Sequence, residues 1–229
     1  MNMEDTDLLL SATNIHREFL TTDGVLKVLK GIDLNINKGE MVAVTGTSGV
    51  GKSTLLHILG GLDRPTEGDV AVKTMPYSRL SETALCRFRN QNVGFVFQFH
   101  YLLEDFTALE NVMIPMLLAN LTKSDARQKG ELLLSEVGLT SRKNHRPRQM
   151  SGGEQQRVAV ARALANDPGI VLADEPSGNL DSSTGRMLHE LLFRLNSEKS
   201  ITFLIATHNR ELAERCNREL KMLDGQVHE

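Results

Sequence analysis

Ser151-Gly152-Gly153-Glu154-Gln155 stands at the start of a helical stripe made by Val158, Ala161, Leu164 and Ala165. A short apolar strand follows it, Ile170-Val171-Leu172-Ala173, and runs into Asp174-Glu175. A hundred residues upstream lies Gly46-Thr47-Ser48-Gly49-Val50-Gly51-Lys52-Ser53, between the strand Glu40–Thr45 and a helix carrying Leu55, Leu56, Ile58 and Leu59. The upstream stretch is a phosphate loop in its proper strand–loop–helix setting. Its glycines let backbone N–H groups point inward on phosphate oxygens, and the helix that follows adds its positive end. Lys52 can reach the β- and γ-phosphates, and the Ser53 hydroxyl can ligate Mg²⁺.

The two acids after the second strand extend this chemistry. Asp174 is placed to hold Mg²⁺ through water, and Glu175 to orient or deprotonate the attacking water. The bland alternative is that both merely open a turn before Pro176. Ser151 and Glu154 likewise have a structural reading, since Ser-x-x-Glu is a capping box. Capping and phosphate sensing use the same free amides, and Gly152-Gly153 leaves backbone accessible, which a cap alone does not require.

Outward from these motifs the chain alternates short strands and helices. Val25–Ile36, Asp69–Val72, Val93–Phe97 and Ile201–Ala206 read as strands; Ala108–Leu118, Ser124–Val137 (ended by Gly138) and Thr184–Leu195 read as helices. The expectation is an α/β fold with a mostly parallel sheet covered on both faces, interrupted by a helical insert from about residue 107 to 165. Composition agrees with a folded chain of 229 residues, 40% hydrophobic and 24% charged. A net charge of −3 and the lack of a long basic run argue against nucleic acid as a partner. Met1–Asp7 carries three acids and no base, Leu8-Leu9-Leu10 is too short for a signal peptide, and Pro115 interrupts the longest apolar run, Val112–Ala119. Cys86 and Cys216 fit no metal spacing and read as buried or half-buried thiols.

Taken in order, the phosphate loop, Gln98, Ser151-Gly152-Gly153-Glu154-Gln155, Asp174-Glu175, Asn179-Leu180-Asp181 and His208 resemble the motif series of ATP-binding-cassette ATPases over nearly the whole chain. The resemblance implies a phosphate-loop NTPase (RecA-like) core with an N-terminal antiparallel β portion. Residues 1–97 and 166–229 would form the catalytic core of a single nucleotide-binding domain, and 98–165 its helical subdomain. It implies ATP bound by Phe19, by Gly46, Thr47, Ser48, Gly49, Val50, Gly51, Lys52, Ser53 and Thr54, and by Ser151, Gly152, Gly153, Glu154 and Asp181. Mg²⁺ would sit on Ser53, Gln98 and Asp174, and Glu175, Gln98 and His208 would serve hydrolysis.

In such ATPases the Ser-Gly-Gly loop of one subunit closes on the γ-phosphate held by another, so a homodimer sandwiching two ATP is implied. Phe19 would stack on adenine, although a lone aromatic near an N-terminus can simply be core. His208 at a strand end and Asp181 as a helix N-cap have structural readings too. Met150, Glu154, Ser177 and Asn209 depart from the commonest Leu, Gln, Thr and Asp, and none of these removes a catalytic atom.

The segment Phe97–Val112 lies where ATPases of this kind grip a helix of a membrane partner. Gln98-Phe99-His100-x-Leu102-Leu103-x-Asp105-Phe106-Thr107-Ala108-Leu109-Glu110-Asn111-Val112 is similar to the ATPase of the bacterial lipoprotein-releasing system, as are Gly60–Thr66 and Asn144–Pro147. That likeness implies two permease partners, lipoprotein cargo met indirectly, and a place at the cytoplasmic face of the inner membrane. Macrolide-exporter and cell-division ATPases of the same broader group are the alternative.

Overall fold

The computed structural model describes residues 7–22 and 24–228; most of the acidic stretch Met1–Asp7 lies outside them. The element order is β1 (Leu8–Thr21), β2 (Gly24–Asn37), β3 (Met41–Thr45), α1 (Lys52–Leu59), β4 (Glu67–Val72), β5 (Met75–Pro76), α2 (Glu82–Asn92), β6 (Val93–Val96), α3 (Ala108–Leu118), α4 (Lys123–Glu136), α5 (Gly152–Ala163), β7 (Ile170–Asp174), α6 (Ser182–Lys199), β8 (Thr202–Ala206), α7 (Arg210–Glu214), β9 (Arg218–Leu223) and β10 (Gln226–His228).

Two sheets result. One runs β10-β9-β3-β8-β7-β6, parallel throughout except for the antiparallel β10 edge. The other is antiparallel, in the order β2-β1-β4-β5. Each central strand sends alternate side chains to opposite faces. Val42, Val44, Leu172 and Leu204 join α1 and the antiparallel sheet in one core. Met41, Val171, Ala173, Phe203 and Ile205 join leucines and valines of α3 to α6 in the other. A strand buried on both faces must be apolar at every position, which is why β3, β7 and β8 read as continuous apolar runs.

The structure departs from the sequence reading in several places. β1 was not read as a strand, because its pairing with β2 slips between Leu8 and Leu10, Ala12 and Ile15, Ile15 and His16, and Arg17 and Glu18. Each slip resets the two-residue alternation that identifies a strand. α2 went unread because Leu85 is its one buried residue, so it carries no apolar stripe. Cys86, on that helix, is exposed rather than buried. Cys216 is half-buried, and burial pushes its thiol up to about 11.

Helix α5 lies close against β6. A Cβ on Gly94 would fall 2.4 Å from the Ala163 carbonyl oxygen, which is backbone and cannot swing away. Gly94→Ala is therefore expected to cost about 1–3 kcal/mol of stability. A thermal melt should show the midpoint lowered by several degrees, and an unchanged midpoint would contradict this packing.

Candidate active site

The phosphate loop is set by β3, whose Val42, Ala43 and Val44 are fully buried between neighbours. Gly46, Gly49 and Gly51 have φ of 150°, 80° and 109°, conformations that L side chains rarely adopt. Gly46 is doubly required, since a Cβ there would lie 2.5 Å from the Met222 carbonyl oxygen of β9. Gly51 caps α1 with no side-chain hydrogen bond, so side chains leave the first amides of the helix free for an anion. Lys52 is 8% exposed, and its Nζ donates to the carbonyls of Gly46 (2.8 Å) and Thr47 (3.1 Å), over the loop itself. Ser53 is exposed and Thr54 half-buried on the first turn of α1.

The acidic strand end lies beside it. β7 pairs with β8, which pairs with β3, so Asp174 and Glu175 leave the sheet two strands from the phosphate loop. Glu175 has φ 44°, unusual for a non-glycine residue. Its amide is tied to the Ala206 carbonyl at 2.9 Å, and Gly178 donates to its carbonyl at 2.9 Å. The Glu175 Oε2 is 2.9 Å from the His208 Nδ1 and also accepts the His208 amide at 3.4 Å. His208 lines two neighbouring clefts, one with Thr45, Gly46 and Thr47, the other with Glu175 and Asp181. The structure thus joins the proposed base, the strand-end histidine and the phosphate loop around one imidazole.

Gln98 follows β6, and its Nε2 donates to the Asn179 Oδ1 at 3.1 Å, while the Asn179 Nδ2 donates to the Gln98 carbonyl at 3.1 Å. This reciprocal pair turns the Gln98 side-chain oxygen away from Asn179. Asn179 was not singled out as a site residue; its place in the motif order was the available signal. Asp181 caps α6, accepting from the amides of Ser183 and Thr184, both at 3.0 Å. Hydrogen bonds from Ser183 and then Thr184 hold its carboxyl well below the usual carboxylate range.

Ser53, Gln98 and Asp174 offer a hydroxyl, an amide oxygen and a carboxylate, the hard oxygen donors that suit Mg²⁺. Among the described residues no cluster of three His, Cys, Asp or Glu could hold a metal ion.

The Ser151 stretch forms a complete capping box. The Ser151 Oγ accepts the Glu154 amide at 3.3 Å, and the Glu154 carboxylate accepts the Ser151 amide at 2.8 Å. Arg142 donates to Glu154 at 2.9 Å. The Ser151 backbone bond, more than the arginine, holds the Glu154 carboxyl below its usual range. Gly152 is exposed, as the sequence reading expected of an accessible backbone. Gly153 is buried instead, and a Cβ there would meet the Thr184 Cγ2 at 2.2 Å. Its smallness lets α5 pack on α6, a structural need in place of the accessible backbone expected from the sequence. The walls of the two clefts around His208 include no residue from 151 to 154.

Phe19 sits on β1, 36% exposed, so it is not core. The Arg17 guanidinium covers one face of its ring at 4.4 Å and is itself paired to Asp63 at 2.8 Å. One ring face is thus already taken by a cation, which the sequence did not reveal.

Residues 29–178 match the family model described as ABC transporter. The chain is 46% identical to the lipoprotein-releasing system ATP-binding protein LolD of Legionella pneumophila (strain Lens), over 97% of this chain and 98% of the relative. It is 49% identical to LolD of Geobacter metallireducens, covering 96% and 97%. It is 52% identical to LolD of Bacteroides thetaiotaomicron, covering 89% and 94%. Among solved structures, the dimeric post-hydrolysis state of the ATP-binding cassette MJ0796 bound to ADP and Pi superposes with a TM-score of 0.89. It is 39% identical, with 96% of this chain and 97% of that chain covered. The chain belongs to the ATP-binding-cassette transporter ATPases and is an ATP-hydrolysing member of that family.

Proposed function

We propose that two copies of this chain close head-to-tail around two ATP and that the stroke drives lipoprotein release from the bacterial inner membrane. The work would pass through two integral-membrane permease subunits, with the ATPase held peripherally at the cytoplasmic face. In this reading residues 98–165 act as the helical subdomain and the rest as the catalytic core. The observation that carries it is the apolar ledge beside Gln98. Phe99 (58%), Tyr101 (66%), Leu103 (48%) and Phe106 (42%) are exposed there, while Leu109 and Val112 of the same segment are core. Such a ledge suits a docked membrane-subunit helix. The near-full-length identity to LolD proteins supports lipoprotein as the cargo.

Chemistry follows from the residues above. Free amides of α1 and the Lys52 ammonium hold the β- and γ-phosphates of one ATP. Ser151 and the amides after it, on a second copy, supply an anion site facing the γ-phosphate. Phe19 offers its open face to the adenine. Mg²⁺, held by Ser53, Gln98 and Asp174, would offset phosphate charge. Glu175 accepts the proton of the attacking water, and His208, resting on Glu175, orients that carboxylate toward it.

The test is capture of the Glu175→Gln protein with ATP from gently solubilised membranes. The expected result is co-purification of two related permeases with large periplasmic domains, plus lipoprotein. Recovery of an exporter with its periplasmic adaptor, or of a division-site membrane protein, would overturn the cargo and leave the ATPase chemistry intact.

A further inference from the structure

Helix α6 buries one polar side chain that the chemistry above does not use. His189 is 4% exposed, on the face that also buries Leu188, Leu191, Leu192 and Leu195. A polar ring in such a place is costly unless it is hydrogen-bonded. Its Nε2 lies 2.8 Å from the Ser177 Oγ.

Ser177 stands two residues past Glu175, in the segment that leads to Asp181. That segment carries two of the residues given roles above, Glu175 and Asp181. Glu175 is held at φ 44°. Gly178 lies against Gln98, where a Cβ would meet the Gln98 Nε2 at 3.0 Å. Asn179 is the hydrogen-bond partner of Gln98, and Asp181 caps α6. Within the segment, Gly178 donates to the Glu175 carbonyl at 2.9 Å and Leu180 to the Ser177 carbonyl at 3.0 Å. A backbone in a sparsely populated conformation persists only where its surroundings over-determine it. His189 ties the middle of this loop to the rigid helix beneath it.

We propose that His189 is a positioning residue for ATP hydrolysis: its imidazole hydrogen-bonds Ser177 and so holds Glu175 and Asn179 in place. This rests on the reading of Glu175 as the base. Burial pushes the His189 pKa below the usual histidine value. The charged groups around it are Glu190 and Arg186 on α6, Glu211 on α7, and Arg215 just beyond α7; Glu175, Asp181 and His208 line the adjoining cleft. Arg215 and Glu190 pair with each other, and Glu211 is the acid that most favours the charged ring.

The experiment compares kcat and KM for ATP of the wild type, His189→Gln, His189→Phe and Ser177→Ala. His189→Phe and Ser177→Ala should each lower kcat about ten- to a hundredfold, as expected for a slightly misplaced base. KM for ATP should change less than kcat. The double variant should be no worse than either single one. His189→Gln, which keeps a hydrogen-bonding group toward Ser177, should recover most of the wild-type rate. If His189→Phe fails to fold, Ser177→Ala removes the same hydrogen bond without touching the core. Wild-type kcat in Ser177→Ala, or a kcat in His189→Gln as low as in His189→Phe, overturns the proposal. Failure of the base assignment is separable, because it shows as persistent turnover in Glu175→Gln, whatever His189 does.

Discussion

Glu175→Gln should abolish nearly all turnover while leaving ATP binding intact. The amide keeps the shape of the carboxylate, and its oxygen can still accept the His208 hydrogen bond made at 2.9 Å. It cannot take a proton from water. Loss of a positioned general base costs roughly 10²–10⁴ in rate, so kcat should fall by about that factor. Neither the phosphate loop nor Lys52 is touched, so nucleotide affinity should stay near the wild-type value. Phosphate release measures the first, and titration with a fluorescent ATP analogue measures the second. A variant that still turns over at the wild-type rate would refute Glu175 as the base.

Lys52→Ala should act on the other half of the site and show the opposite pattern. The Lys52 Nζ now donates to two loop carbonyls, those of Gly46 and Thr47. With ATP present those donors face phosphate oxygens, and charge-assisted bonds of this kind contribute about 1.5–3 kcal/mol. The dissociation constant for ATP should therefore rise by about one to two orders of magnitude. Because the Lys52 stem is buried, alanine also leaves a hole. Lys52→Met fills that hole and isolates the charge. Both variants should bind ATP weakly if the ammonium matters. Wild-type affinity in Lys52→Met would contradict the role given to Lys52.

The parts of this fold most visible in the sequence are those where burial leaves no choice. β3, β7 and β8 are covered on both faces, so nearly every residue in them is apolar, and their ends carry the phosphate loop and Asp174-Glu175. α6 was visible for a related reason, its buried residues recurring at helical spacing. The antiparallel sheet was less legible, because the register slips of β1 erase its alternation. Polar α2 presents no apolar face to recognise.

Within the candidate site, motif order alone points to Lys52, Glu175 and His208. What that order could not reveal was pairing. The Glu175–His208 contact, the Gln98–Asn179 exchange, Arg17 over Phe19 and His189 beneath Ser177 all join residues far apart in the chain or facing each other by rotamer. Gly153 is a further case. Its need for smallness comes from Thr184 on a different helix, which no local reading contains.

The proposed sharing of a site between two copies is tested most directly by the mass of the Glu175→Gln protein in sedimentation equilibrium, with and without ATP. With ATP and no turnover to reopen it, the protein should sediment as a pair of 25.4 kDa chains. Without nucleotide it should return to the single chain. A protein that binds ATP fully yet stays a 25.4 kDa monomer would contradict a site completed by the partner's Ser151.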